Sequence, residues 1–173
     1  MLSRELLKIL PQPYFYYSSD QLVSAGVLPN VDRKTNDTPW SWNVIRPRFF
    51  DGFHRSIAAL AAADNLLLVE HIVEFKRWLD DLVLLLSPYR VMYIGVHCPV
   101  EEMERREIAR GDRYIGEAKS HLEDGIHTWS EYDLTVNTFT ATPQENAKTI
   151  LKALPAYQHG QSIFKQLSKS KIN

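Results

Sequence analysis

Cysteine is almost absent from this sequence. Its 173 residues include one, Cys98, which excludes an internal disulfide framework and a multi-thiolate metal site and suits a reducing cytosol. Net charge is almost absent too, since 20 Lys and Arg stand against 21 Asp and Glu for a formal charge of -1. A chain so close to neutral lacks the basic field of a general nucleic-acid binder. No apolar run reaches the ~20 residues that span a bilayer, because Asp64, Glu70, Asp80 and Asp81 interrupt the best candidates. The opening leucines are mixed with Arg4, Glu5 and Lys8, so the start does not read as a signal peptide. There is no internal repeat and no low-complexity segment. What remains is 45% hydrophobic residues in a length that suits one domain of roughly 100–200 residues. These features predict a soluble, cytoplasmic protein with a body over residues 1–157 and a polar tail over 158–173.

Along the chain, Leu2, Leu6, Ile9 and Leu10 sit at helical spacing before Pro11 and Pro13 end the segment. Tyr14–Tyr17 reads as a short buried strand, and Asp20–Ala25 as a short helix capped by Ser18 or Ser19. Gly26–Pro47, rich in Pro, Asn, Asp and Trp, reads as a long irregular excursion. A helix is expected from Asp51 to about Asp64–Asn65, with Phe53, Ile57, Leu60 and Ala61 on one face. Leu66–Val69 and Val91–Cys98 are apolar runs that suit strands buried on both faces. Between them Glu74–Leu86 is amphipathic. Pro99 opens a further helix that should stop at Gly111. Tyr132–Val136 is the last strand, and Thr142-Pro143-Gln144-Glu145 is a capping box for a helix to about Leu154. Beyond Tyr157 the lysine-bearing sequence is expected to be mobile. Strands alternating with helices predict an α/β fold with a mainly parallel sheet flanked by helices.

In such a sheet the binding crevice lies beyond the carboxyl ends of the strands. That rule selects Asp20, Glu70-His71 and His97-Cys98. Asp20 is placed either to accept a proton from a substrate hydroxyl or to cap a helix. Glu70 ends an apolar strand, where a charge needs a metal, a cation, a helix N-terminus or water. Glu70, His71 and His97 together are also the makings of a metal hydrolase. In Arg105–Arg113 the pairs Glu101–Arg105 and Glu102–Arg106 account for part of the charge as a solvated helix face. The arginines that continue past the helix end have the chemistry of a phosphate-clamping lid, since guanidinium forks bind phosphoryl oxygens in pairs. Trp40 and Trp42 have the chemistry to line an aromatic substrate pocket or simply to pack the long excursion onto the body.

Leu10-Pro11 through Asp20-Gln21-Leu22, Phe50-Asp51-Gly52-Phe53-His54, Val69-Glu70-His71, Gly95-Val96-His97-Cys98-Pro99, Arg106 through Arg113 and Tyr132-Asp133-Leu134-Thr135-Val136 form an ordered set. Over residues 1 to about 155 that set resembles the chloramphenicol phosphotransferase-like family of P-loop kinases. The resemblance implies transfer of the terminal phosphoryl group of ATP to a hydroxyl of a small molecule, with ATP and Mg²⁺ as cofactors. It implies that Asp20 is the catalytic base, that Arg110 also serves catalysis, and that Arg106, Arg110 and Arg113 steady the nucleotide's phosphates. Trp40, Trp42 and His54 would line the substrate pocket, and Glu70 would hold Mg²⁺ through water.

Two departures accompany the likeness. Glu70 stands where some relatives carry aspartate; the longer carboxylate can still reach a hydrated Mg²⁺. The family's G-x-x-x-x-G-K-[ST] loop, whose amides and lysine hold the β- and γ-phosphates, is not in this sequence. Met1–Leu7 resembles the helix that follows that loop, which implies that the first strand and the phosphate cradle are missing. That strand is central in kinases of this fold. Each buried backbone group it leaves unpaired costs about 1–3 kcal/mol, against a typical domain stability of about 5–15 kcal/mol. The expectation is therefore either a natural start upstream of Met1 or a sheet closed around a gap. A non-catalytic relic that binds a ligand or partner is the rival expectation.

Overall fold

The computed structural model describes residues 1–28, 41–110, 116, 119–120, 122, 125–129, 131–157 and 162–170. The chain divides into two compact units: Gln12–His71, and Met1–Pro11 with Ile72–Asn173.

In the unit Gln12–His71, strand β1 (Phe15–Ser18) is followed by helix α2 (Ser19–Ser24), helix α3 (Trp42–Ala62) and strand β2 (Leu67–Glu70). The strands pair in parallel, with Phe15 opposite Leu67 and Ser18 opposite Glu70. Helix α3 begins at Trp42, within the stretch expected to be irregular, and carries Pro47 inside it. Proline has no N–H for the bond back to residue 43, which is why the sequence reads as a break there. Aromatic packing outweighs that loss. Trp42 meets Phe49 and Phe50 at 6.3 Å each, and Phe53 stacks on Tyr17 of β1 at 5.2 Å. Phe53 and Ile57 are the buried apolar centre of this unit.

The other unit holds α1 (Leu2–Ile9), α4 (Lys76–Leu86), β3 (Ile94–His97), α5 (Val100–Arg110), β4 (Leu134–Asn137), α6 (Pro143–Tyr157) and α7 (Ile163–Ser170). Strands β3 and β4 are parallel, with Ile94 opposite Leu134 and His97 opposite Asn137. Helix α1 packs on α6, where Leu6, Ala147 and Ile150 are buried. The amphipathic face of α4 buries Trp78, Leu79, Leu82, Val83 and Leu86. The capping box forms as its sequence predicts: the Thr142 N–H donates to Glu145 Oε2 at 2.8 Å and the Glu145 N–H to Thr142 Oγ1 at 3.3 Å.

Two expectations need correction. Residues 163–170, placed in a mobile tail, form α7, which packs on α4 and buries Phe164. Asp133 explains why. Its Oδ1 accepts the Ile163 N–H at 2.7 Å while its Oδ2 accepts the Tyr93 N–H at 2.7 Å, so one carboxylate fastens the start of α7 beside β3. The strand Tyr14–Tyr17, expected to be buried, leaves Phe15 59% exposed, and the runs expected to be buried on both faces are only partly covered, with Val96 47% exposed. Both pairings are parallel, but the described strands form two separate pairs, so each keeps an edge that no other described strand covers. Among the described residues no helix is long and apolar enough to cross a membrane.

Candidate functional site

At the carboxyl end of the β1–β2 pair the chain turns directly from strand into helix. Ser18 caps α2, its Oγ accepting the Gln21 N–H at 3.1 Å. The cap is therefore Ser18, and Asp20 stands two residues further on, in the first turn of α2, where the helix dipole favours a carboxylate. The register that puts Ser18 opposite Glu70 also puts Tyr16 on the same face, diagonal to Glu70. The Tyr16 hydroxyl donates to Glu70 Oε2 at 2.5 Å. Burial, followed by this hydrogen bond, pushes the Tyr16 phenol above its ordinary pKa; the Ser18 side chain opposes the rise, and the charges of Glu70 and Asp20 add to it. Tyr16, Ser18, Asp20 and Glu70 thus form one neighbourhood of oxygen donors. Such a set suits a hard cation such as Mg²⁺ rather than a thiophilic metal.

The next residue, His71, faces away from that cluster. Its Nε2 lies 3.0 Å from His54 Nε2, so one imidazole donates to the other. Burial, followed by the neighbouring His54, pushes the His71 pKa down to about 3. Phe50 and Phe53 flank the His71 ring at 5.4 and 5.2 Å. His54 is 1% exposed, and Trp42 lies against Phe49 and Phe50, so both side chains are engaged in packing. Trp40 lies outside the described residues. Among the described residues no group of three His, Cys, Asp or Glu side chains gathers to hold a metal.

In the other unit, α5 leaves the carboxyl end of β3. Of the two expected pairs, Glu102–Arg106 forms at i,i+4, and Arg105 also bonds Glu102. Glu102 takes both arginines, accepting from Arg105 Nε at 2.7 Å and Arg106 Nε at 2.6 Å. Hydrogen bonds from Arg105, then Arg106, hold the Glu102 pKa down to about 2. Arg106 reaches further, donating to the Thr138 carbonyl at 2.7 Å and to Thr138 Oγ1 at 3.1 Å. Its fork clasps α5 to the end of β4. Arg110 closes α5, its side chain lying outside the described residues together with the whole of Arg113. Glu107, one turn before the helix end and buried, accepts the N–H of Gly116 at 2.8 Å. The His97 ring stacks on His127 at 3.9 Å, and His127 Nδ1 meets the Tyr132 hydroxyl at 2.7 Å.

The structure is that of a parallel α/β protein with its chemistry-bearing side chains at the carboxyl ends of its strands. A family model described as chloramphenicol phosphotransferase-like protein matches residues 1–155, and the chain belongs to that family. Two curated proteins of Mycobacterium tuberculosis, from strains CDC 1551 / Oshkosh and ATCC 25618 / H37Rv, each named "Putative O-phosphotransferase", are 33% identical over 90 residues. That alignment covers 52% of this chain and 39% of each relative, so the match spans about two-fifths of their length. The solved structure of the Deinococcus radiodurans tunicamycin resistance protein superposes with a TM-score of 0.60 over 89% of both chains, at 15% identity; this likeness speaks to the fold.

Tyr16 and Thr138 are the residues that reading the sequence misses. For Tyr16 the signal was strand parity: in Tyr16-Tyr17-Ser18 the first and third residues share a face with the end of the neighbouring strand. Thr138 carried no signal, because its partner Arg106 lies 32 positions away.

Proposed function

We propose that this chain carries the acceptor-side machinery of an O-phosphotransferase that moves the terminal phosphoryl group of ATP to a hydroxyl of a small molecule. One observation supports this above the others. Asp20 sits in the first turn of α2 immediately beyond β1, while Tyr16 joins that corner to Glu70 at the end of β2. Asp20 takes the proton of the acceptor hydroxyl, and the oxygen it leaves attacks the terminal phosphorus of ATP as the bond to the β-phosphate oxygen breaks and ADP departs. Bound ATP supplies the phosphoryl group, and Mg²⁺ the charge neutralisation. Glu70 would hold the hydrated Mg²⁺ through water, and by the family resemblance Arg110 and Arg113 would steady the phosphates. Arg106, engaged with Glu102 and Thr138, serves them by holding α5. With ATP as donor and a single cysteine, the natural setting of this reading is the cytoplasm.

The residues present do not supply a phosphate cradle, because the 173 residues contain no G-x-x-x-x-G-K-[ST] loop. The chain by itself is therefore expected to bind ATP feebly and to transfer nothing, since phosphoryl transfer depends on positioning and charge stabilisation. Calorimetric titration of Mg·ATP tests this, with ³¹P NMR of a panel of small hydroxyl compounds alongside. An extended form with about 15–20 residues before Met1, enough for one strand and the glycine-rich loop, should gain both binding and transfer. Tight, Mg²⁺-dependent ATP binding by the 173 residues alone would overturn this placement of the phosphate site. An extended form that binds ATP but phosphorylates nothing would favour a binding protein instead.

A further inference from the structure

We propose that Tyr16 is a positioning residue of this site: its phenol fixes the Glu70 carboxylate, and thereby the place where Glu70 holds a hydrated divalent cation. The inference rests on the role of Glu70 proposed above and assigns to Tyr16 a part that the sequence pattern alone did not give it. Glu70 ends β2 with its side chain exposed. Ordering a glutamate side chain costs up to about 1.5–2 kcal/mol. The 2.5 Å bond from Tyr16 orders it before any cation arrives. The bond crosses from β1 to β2, between residues 54 apart in sequence, and the strand register sets its reach. Phenylalanine would fill the same space and lose only the donor.

The neighbouring tyrosine provides a contrast. Tyr17 faces the other side of β1, where its hydroxyl meets Ser56 Oγ at 2.8 Å and its ring stacks on Phe53. That is packing against α3. Two adjacent tyrosines therefore do separate work, and the alternation of the strand decides which does what.

The test is a double-mutant cycle on the full chain, with Mn²⁺ alone as the probe and free metal measured by electron paramagnetic resonance. Removing a group that orients a metal-holding residue typically weakens metal binding about 10–100-fold. Tyr16→Phe should do so with an unchanged melting temperature, Glu70→Gln should weaken binding at least as much, and Tyr16→Phe should add nothing in the Glu70→Gln background. Tyr17→Phe should bind like the wild type. Wild-type affinity in Tyr16→Phe, with Glu70→Gln weakened, overturns the positioning role and leaves the role of Glu70 standing. Wild-type affinity in Glu70→Gln, or no measurable Mn²⁺ binding by the wild type, overturns both. Should Tyr16→Phe fail to fold, Tyr16→Leu, which likewise carries no donor, should show the same loss; undiminished binding there overturns the proposal.

Discussion

Gly95→Ala tests the packing behind the β3–β4 pair, because it adds one methyl at a buried strand position. The added Cβ would stand 2.5 Å from Tyr132 Cδ2 and 2.8 Å from Cε2 and Cγ. Carbon atoms rest at about 3.5–4.0 Å, so the ring must retreat by about 1 Å. It is poorly free to do so. Tyr93 packs on it at 4.7 Å, His97 meets it edge-on, and His127 holds its hydroxyl. Overpacking of this kind costs about 1–3 kcal/mol, and a lost hydrogen bond adds about 0.5–1.5 kcal/mol. Against this, alanine in a strand gains about 0.5–1 kcal/mol over glycine. The clash wins, with a net loss of about 2 kcal/mol at mid-range, and at 2–4 °C per kcal/mol for a chain of this size the melting temperature should fall by about 4–8 °C. Calorimetry measures the fall, and near-ultraviolet circular dichroism follows the tyrosines. Gly95→Ala combined with Tyr132→Leu should cost clearly less than the sum of the two changes. A melting temperature within about 2 °C of wild type, or strict additivity in the double variant, would refute the reasoning.

Acid should destabilise the Gln12–His71 unit through His71. Its folded pKa is held down to about 3 against an ordinary 6.5, so between those values the unfolded chain binds the extra proton; this stability is intact above pH 6.5 and lost as pH falls. At pH 5 the loss is about 2 kcal/mol, and melts of His71→Phe should show a correspondingly flatter pH dependence. Asp133→Ala removes the acceptor of the part-buried N–H groups of Tyr93 and Ile163, each bond worth about 0.5–1.5 kcal/mol; hydrogen exchange in Phe164–Lys169 should rise well before the rest of the chain opens, and unaltered exchange would show that α7 is held otherwise. Asp20→Asn in an extended, ATP-binding form should lower turnover about 10²–10⁴-fold with little change in ATP affinity. Unchanged turnover would leave Asp20 only its place at the start of α2.

The start of helix α6 was legible because its signals are local: threonine, proline and glutamate within four residues specify it, wherever the helix packs, while its end runs past the expected Leu154 to Tyr157 with Pro155 inside. The strands and α4 were legible from periodicity, and the family from an ordered series of short segments. Other features read wrongly for an equally physical reason. Pro47 signals a break, yet the aromatic cluster of Trp42, Phe49, Phe50 and Phe53 keeps α3 continuous through it. The lysines after Tyr157 suggest a solvated tail, but Phe164 and the Asp133 clasp draw α7 onto α4.

What the sequence determined by itself about this protein is therefore what neighbours along the chain decide: element types, the cap box, near neutrality, family membership and the positions of Asp20 and Glu70 at strand ends. Only the tertiary structure decided which distant side chains share an atom. It chose Ser18 over Asp20 as the cap of α2, because cap geometry depends on where β1 ends. It gave Glu70 to Tyr16, His71 to His54, and Arg106 to Thr138. Each of those pairings joins residues 17 to 54 positions apart, and such contacts arise only when strand register and helix packing bring the chain back on itself.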